Sequence, residues 1–123
     1  MISMIRSYKN LVVWQKSFKL VIAVYDLTKE FPKSEIYGLT SQMRRSSVSI
    51  PSNIAEGQRR GSRKDFRHFL FNAFGSGAEL ETQLEIAKQL SFAKDTDFSY
   101  AEGLLDEVMR MLNVLIKNLH TTN

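Results

Sequence analysis

Apolar residues recur at intervals of three and four along almost the whole of this chain, and nowhere do they alternate over an extended run. The first spacing lines one face of a helix, whereas alternation marks a strand. Short punctuated segments separate the periodic stretches, so the pattern predicts an all-α fold with helices over about 10–31, 38–57, 62–90 and 97–120. Short connections make sequential neighbours antiparallel, which gives an up-down-up-down four-helix bundle. At 123 residues the expectation is one domain spanning 1–123, large enough to bury a core without covalent staples.

The first helix is expected to start at an Asn10 cap and to bury Leu11, Trp14, Phe18, Val21, Tyr25 and Thr28, with Lys9, Lys16 and Lys19 largely off that stripe. Phe31-Pro32 ends it, because the residue before a proline is pushed out of the helical region. The second helix places Leu39, Met43, Ser46/Ser47, Ile50 and Ile54 on one face. Pro51 removes the amide that would reach the Ser47 carbonyl. Two short helices meeting at Pro51 are one solution. One helix, kinked near Pro51, is preferred because the apolar spacing keeps phase across the proline. Ser47 and Ser49 are placed to satisfy backbone groups freed there, and Gly57 and Gly61 bracket the following turn.

Ser62 and Asp65 stand at capping-box spacing before the third helix. Its stripe is Phe66, Phe69/Leu70, Ala73, Gly77, Leu80, Leu84 and Ala87, with Phe71, Phe74 and Ala78 on a flank beside it. That flank is either part of a broad core or a self-association surface. Gly75-Ser76-Gly77 permits close approach by another backbone. In the last helix Ser99-Tyr-Ala-Glu102 reads as a capping box, and Leu104, Val108, Met111/Leu112, Leu115 and Leu119 form the stripe.

The charge is uneven. Of the net +4, residues 1–43 carry +3, residues 44–67 carry +5 and residues 68–123 carry −4. The absence of cysteine excludes disulfides, thiolate metal sites and thiol nucleophiles, and suits a reducing compartment. No run is long enough to span a membrane and residues 1–8 lack the apolar core of a signal peptide, so a cytoplasmic location and no membrane partner are expected. His68 and His120 fall on different helices without the Glu-x-x-His pattern of bundle metal sites, so neither metal nor cofactor is expected. The serines near Pro51 lack a Lys or His partner, and no glycine-rich phosphate loop follows a strand. Glu79, Glu81 and Glu85 read as solvated carboxylates paired with cations on a neighbouring helix. A non-enzymatic chain is expected.

The basic segment is the most informative polar feature. Arg59, Arg60, Arg63, Lys64 and Arg67 wrap the turn into the third helix, and Arg44, Arg45 and Lys16 are candidates to extend the surface. Arginine suits bidentate phosphate contacts, and several together give salt-dependent nucleic-acid affinity. Phe66 and Phe69 are phased inward, which makes them poor stacking platforms. The alternative is a protein-interaction scaffold whose arginines only solubilise it or pair with an acidic partner.

A set of ordered motifs covers nearly the whole chain: Leu11-Val-Val-Trp14-Gln-Lys16, Phe31-Pro32, Tyr37-Gly-Leu-Thr-Ser-Gln42, Arg45, Ser49-Ile-Pro51, Asn53-Ile-Ala-Glu56-Gly57, Gly75-Ser76, Glu79-Leu-Glu-Thr-Gln83 and the leucine-rich Met111–Leu119. It resembles the bacterial four-helix-bundle family encoded in intervening sequences of the 23S ribosomal RNA gene. That family is in turn similar to the accessory variability proteins of diversity-generating retroelements. The resemblance implies a homopentamer of four-helix protomers, a basic surface that meets RNA, and no enzymatic activity. It also makes Arg45, Ser49, Asn53, Glu56 and Gly57 architectural. Phe74-Gly75 departs from the small-basic pair expected there, which removes one positive charge.

Overall fold

The computed structural model describes residues 7–120. A short 3-10 helix, Tyr8–Asn10, leads into α1 (Val12–Thr28); a second, Lys33–Glu35, precedes α2 (Leu39–Arg59), followed by α3 (Arg63–Gln89) and α4 (Asp95–Asn118). No strand occurs among the described residues. Each helix packs on the next, and α1 packs on α4 to close the bundle. Tyr25 and Thr28 at the end of α1 meet Arg44 near the start of α2. Gly57 near the end of α2 meets Phe66 and Phe69 at the start of α3. Arg67 early in α3 meets Ile116 late in α4. In each pair an end lies against a beginning.

The core stripe of α1 is not the aromatic one. Val13, Ser17, Leu20, Ala23/Val24, Leu27 and Thr28 are buried, and Phe31 continues the row beyond the helix. Of the expected stripe, Leu11, Trp14 and Val21 are half-buried, Phe18 and Tyr25 are 44% and 37% exposed, and only Thr28 is buried. The helix is apolar around most of its circumference, so two rows one residue apart were available. The aliphatic row fills the narrow interhelical space, at roughly 1.5–3 kcal/mol for each large side chain fully buried. The aromatics form an outer edge-to-face ladder, Tyr8 on Trp14 at 5.3 Å and Trp14 on Phe18 at 5.4 Å. The buried hydroxyls of Ser17 and Thr28 donate to the carbonyls of Trp14 and Val24, so neither is orphaned.

α2 runs unbroken through Pro51 and buries Met43, Ile50 and Ile54 as the periodicity predicts. Ser47 does not serve the carbonyl freed by the proline; its hydroxyl donates to Arg44 O at 2.9 Å. Asn53 Nδ2 donates to the carbonyl and hydroxyl of Ser49, and Ser76 of α3 donates to the same hydroxyl at 2.9 Å. Gly57 lies within α2 and not in the turn; Gly61 alone makes it, with φ +85°.

Ser62 caps α3 as expected, accepting from Asp65 N at 3.0 Å. Gly77 faces the Met109 side chain of α4, while the space where a Gly75 side chain would project is open. The two other expected caps are corrected. Asn10 lies in the first 3-10 helix, which Ser7 caps, and α1 starts with no side-chain cap. Asp95 and Asp97 lie in the first turn of α4, where their charge suits the helix dipole, and Ser99 sits inside the helix. α4 buries Phe98, Ala101, Leu105 and Ile116 besides the expected Leu104, Val108 and Leu112, whereas Met111, Leu115 and Leu119 are half-buried.

Candidate nucleic-acid interface

The turn from Arg60 to Ser62 brings the end of α2 and the start of α3 together, and the topology adds the last turn of α4 and the residues before α1. Arg59 lies over the Tyr8 ring at 5.4 Å. Arg60 lies over Phe69 at 4.9 Å and pairs with Glu56 at 2.9 Å. Arg63 Nη2 donates to Asn118 O at 3.1 Å, and Arg67 Nε donates to Ile116 O at 2.9 Å. Those carbonyls belong to the last turn of α4, where helix geometry supplies no amide partner. The two arginines therefore cap α4 and place positive charge at the negative end of its dipole. Lys64 is exposed.

Capping leaves donors free. A guanidinium has five N–H groups, and the bond from Arg67 Nε leaves both of its terminal nitrogens available. Its Cζ lies over the Phe71 ring, 5.0 Å from the centroid, which further restricts it. Such side chains lose less conformational freedom on binding an anion than freely rotating ones.

Lys9 and Lys117 join the same end, one beside Tyr8 and the other in the last turn of α4. Sequence reading missed both, because nothing local relates residue 9 or 117 to residue 60. Among the described residues around this end, seven cations (Lys9, Arg59, Arg60, Arg63, Lys64, Arg67, Lys117) face two carboxylates, Glu56 and Asp65. At the far end of the bundle, Asp26, Glu30 and Asp97 line a cleft of about 270 Å³. The molecule thus has a basic pole and a more acidic one.

The other candidate cations are elsewhere. Lys16 pairs with Glu107 of α4 at 3.2 Å. Arg44 donates from Nε to Thr28 Oγ1 at 2.9 Å and covers Tyr25 at 4.6 Å, near the start of α2. Arg45 is exposed beside it. About twenty ångströms of helix, at 1.5 Å per residue, separate them from Arg59. His68 is exposed and packs edge-on against Phe69 at 5.5 Å. Glu79, Glu81 and Glu85 are exposed as expected, but Glu85 accepts from Gln89 on its own helix. The ion pairs between helices are Lys16–Glu107 and Lys88–Glu102 among the described residues. Of the expected self-association flank, Phe71 is 49% exposed, Ala78 is exposed, and Phe74 is half-buried against the core.

No curated protein sequence matches the chain. A solved structure of a protein of unknown function from the S23 ribosomal protein family of Bacteroides thetaiotaomicron VPI-5482 is similar, with a TM-score of 0.79 and 26% identity over 86% of this chain and 96% of that one. The family model described as 23S rRNA-intervening sequence protein matches residues 9–114. That span reaches from the residues beside Tyr8 into the last turns of α4, taking in all four helices and the whole basic turn between α2 and α3. By motif order and by fold alike, the chain belongs to the 23S rRNA-intervening sequence protein family.

Proposed function

We propose that this chain is a non-enzymatic, self-associating helical bundle that binds RNA through its basic pole. The observation that carries the proposal is the gathering of Arg59, Arg60, Arg63, Lys64 and Arg67 with Lys9 and Lys117 at one end, against Glu56 and Asp65 among the described residues. Arg60, Arg63 and Arg67 are oriented by contacts that use one nitrogen each and leave the others for phosphate. The family's name, which refers to 23S rRNA, favours RNA over DNA and a cytoplasmic site of action. Arg44, Arg45 and Lys16 stand outside this primary contact. Self-association is supported by the outward apolar face of α1, and the family resemblance makes a homopentamer its expected form.

Gel mobility shift with ribosomal RNA fragments across a salt series tests RNA binding. About five phosphate contacts give a slope of log K against log salt of roughly −3.5 to −4.5. Arg59→Glu with Lys64→Glu, both at exposed positions, removes binding while the helices stay folded. Binding that is absent at low salt, or that ignores salt, refutes the proposal.

One observation favours a second reading, a protein-interaction scaffold with no direct nucleic-acid contact. Arg60 is paired with Glu56, and Arg63 and Arg67 cap α4, which are structural uses of arginine. Capture of partners with and without nuclease treatment separates the two, since a scaffold keeps its partners after nuclease.

A further inference from the structure

α1 buries one apolar row and presents another. A helix that is apolar on both sides is ordinarily covered on both sides. Its outward row, with Val48, Pro51 and Ala55 of α2, lines a groove of about 340 Å³. Beyond Val48 this groove runs into a cleft of about 400 Å³ that contains Tyr25, Ile36, Arg44 and Arg45. The groove is therefore apolar along its length, with Arg44 and Arg45 at one end and Arg59, over Tyr8, at the other. On α3 the outward face runs from Arg67 through Phe71, Phe74 and Ala78 to Glu81 and Glu85, so it is apolar in the middle and acidic beyond.

We infer that the α1–α2 groove receives the outward face of α3 from a second copy of this chain, with Arg45 facing Glu81 and Glu85. This rests on the self-association proposed above and names the two surfaces that make it. Charge complementarity is the first support. Arg45, Glu81 and Glu85 are all exposed, and none forms an ion pair within the described residues.

Register is the second support. Ser76 bonds to Ser49, and Phe69 lies against Gly57. Continuing that pairing sets Phe74 level with Pro51, Ala78 with Val48, and Glu81 with Arg44 and Arg45. A neighbour related by rotation about an axis parallel to the bundle keeps every height, so Phe74 and Ala78 meet the apolar groove and Glu81 meets Arg44 and Arg45, while Arg67 comes level with Arg59 at the basic pole. Open space at Gly75 leaves room beside Phe74 for the groove wall. The two surfaces differ, so the contact is heterologous, and a rotation that closes builds a ring. All basic poles then lie on one rim.

Sedimentation velocity of the nuclease-treated full chain tests this with Arg45→Glu, Glu81→Arg, the two combined, and Ile22→Asp, whose site in the groove is 52% exposed. Each single variant is expected to weaken assembly at least about tenfold with an unchanged circular dichroism spectrum. The charge-swapped combination is expected to recover assembly to within about threefold of the parent. A parent that assembles while folded single variants assemble equally well, or a combination that fails to recover, overturns the pairing of these two faces. A parent that stays monomeric at high concentration overturns self-association itself.

Discussion

Gly57 is the point at which a single methyl group discriminates most sharply. It is buried inside α2, and a Cβ there falls 2.6 Å from Phe69 Cβ, 3.2 Å from Phe66 Cδ1 and 3.3 Å from the Phe66 carbonyl. Phe69 Cβ is fixed to the α3 backbone, so no rotamer change relieves the first contact. Reaching ordinary contact at 3.4 Å requires about 0.8 Å of separation between the helices. Overpacking of this kind costs about 1–3 kcal/mol, while replacing a helical glycine by alanine returns about 1 kcal/mol. Gly103, exposed in α4 with nothing near its missing side chain, isolates the second effect. Urea unfolding should therefore show Gly103→Ala more stable than the parent by about 1 kcal/mol. Gly57→Ala should lie below Gly103→Ala by about 1–3 kcal/mol. Equal stabilisation by both substitutions refutes the close approach of α2 and α3. The consequence reaches the basic pole, because this approach holds Arg59 and Arg60 beside Arg63 and Arg67.

Gln83 is 94% buried in α3, and its Oε1 has no partner among the described residues. Gln83→Leu should raise stability by about 1 kcal/mol in thermal unfolding, and a loss of that size would mean the amide is paired. Arg67→Met removes the donor to Ile116 O and should speed amide exchange in the last turn of α4 at a cost of about 1 kcal/mol; unchanged exchange there contradicts the capping role. The hydrogen bond and charge of Glu102 hold the Lys88 ammonium above its ordinary value of 10.5. A raised folded-state value means this contribution is complete below the ordinary value and is lost as pH rises through the folded one. The stability difference between the parent and Lys88→Met should therefore stay flat from about pH 7 to 9 and shrink only in strong alkali; a decline near neutrality refutes the pairing.

The helices were legible because their signals are local. Periodicity located α2 and α3 with their cores, and the spacing from Ser62 to Asp65 identified a cap that forms. In α1 periodicity was ambiguous: Trp14, Phe18 and Tyr25 repeat as regularly as Leu20, Val24 and Leu27. Only the space between helices decides which row fits. The basic turn was visible as a charge run, but its extension through Lys9 and Lys117 and its separation from Arg44 and Lys16 depend on chain topology. Ion pairing follows the same rule, since Lys16 finds Glu107 across 91 positions of sequence.

Assembly and RNA binding, if both proposals hold, reinforce each other. One pole offers about five phosphate contacts, which alone gives weak, salt-sensitive affinity. A ring with every pole on one rim turns the second and later contacts of a long RNA into intramolecular events. Such linkage strengthens binding by about 10²–10⁴ without any new type of contact. Ile22→Asp then becomes the informative variant, because it breaks the groove at an exposed site while leaving every cation of the pole in place. It should weaken binding of a long ribosomal RNA fragment by about 100-fold. Binding of an oligonucleotide too short to span two poles should stay within about threefold of the parent, since single-site contacts are unaltered. Fluorescence anisotropy with the two RNA lengths measures both. Equal affinity of parent and variant for the long fragment would mean that each bundle binds alone, so that the ring contributes nothing to recognition.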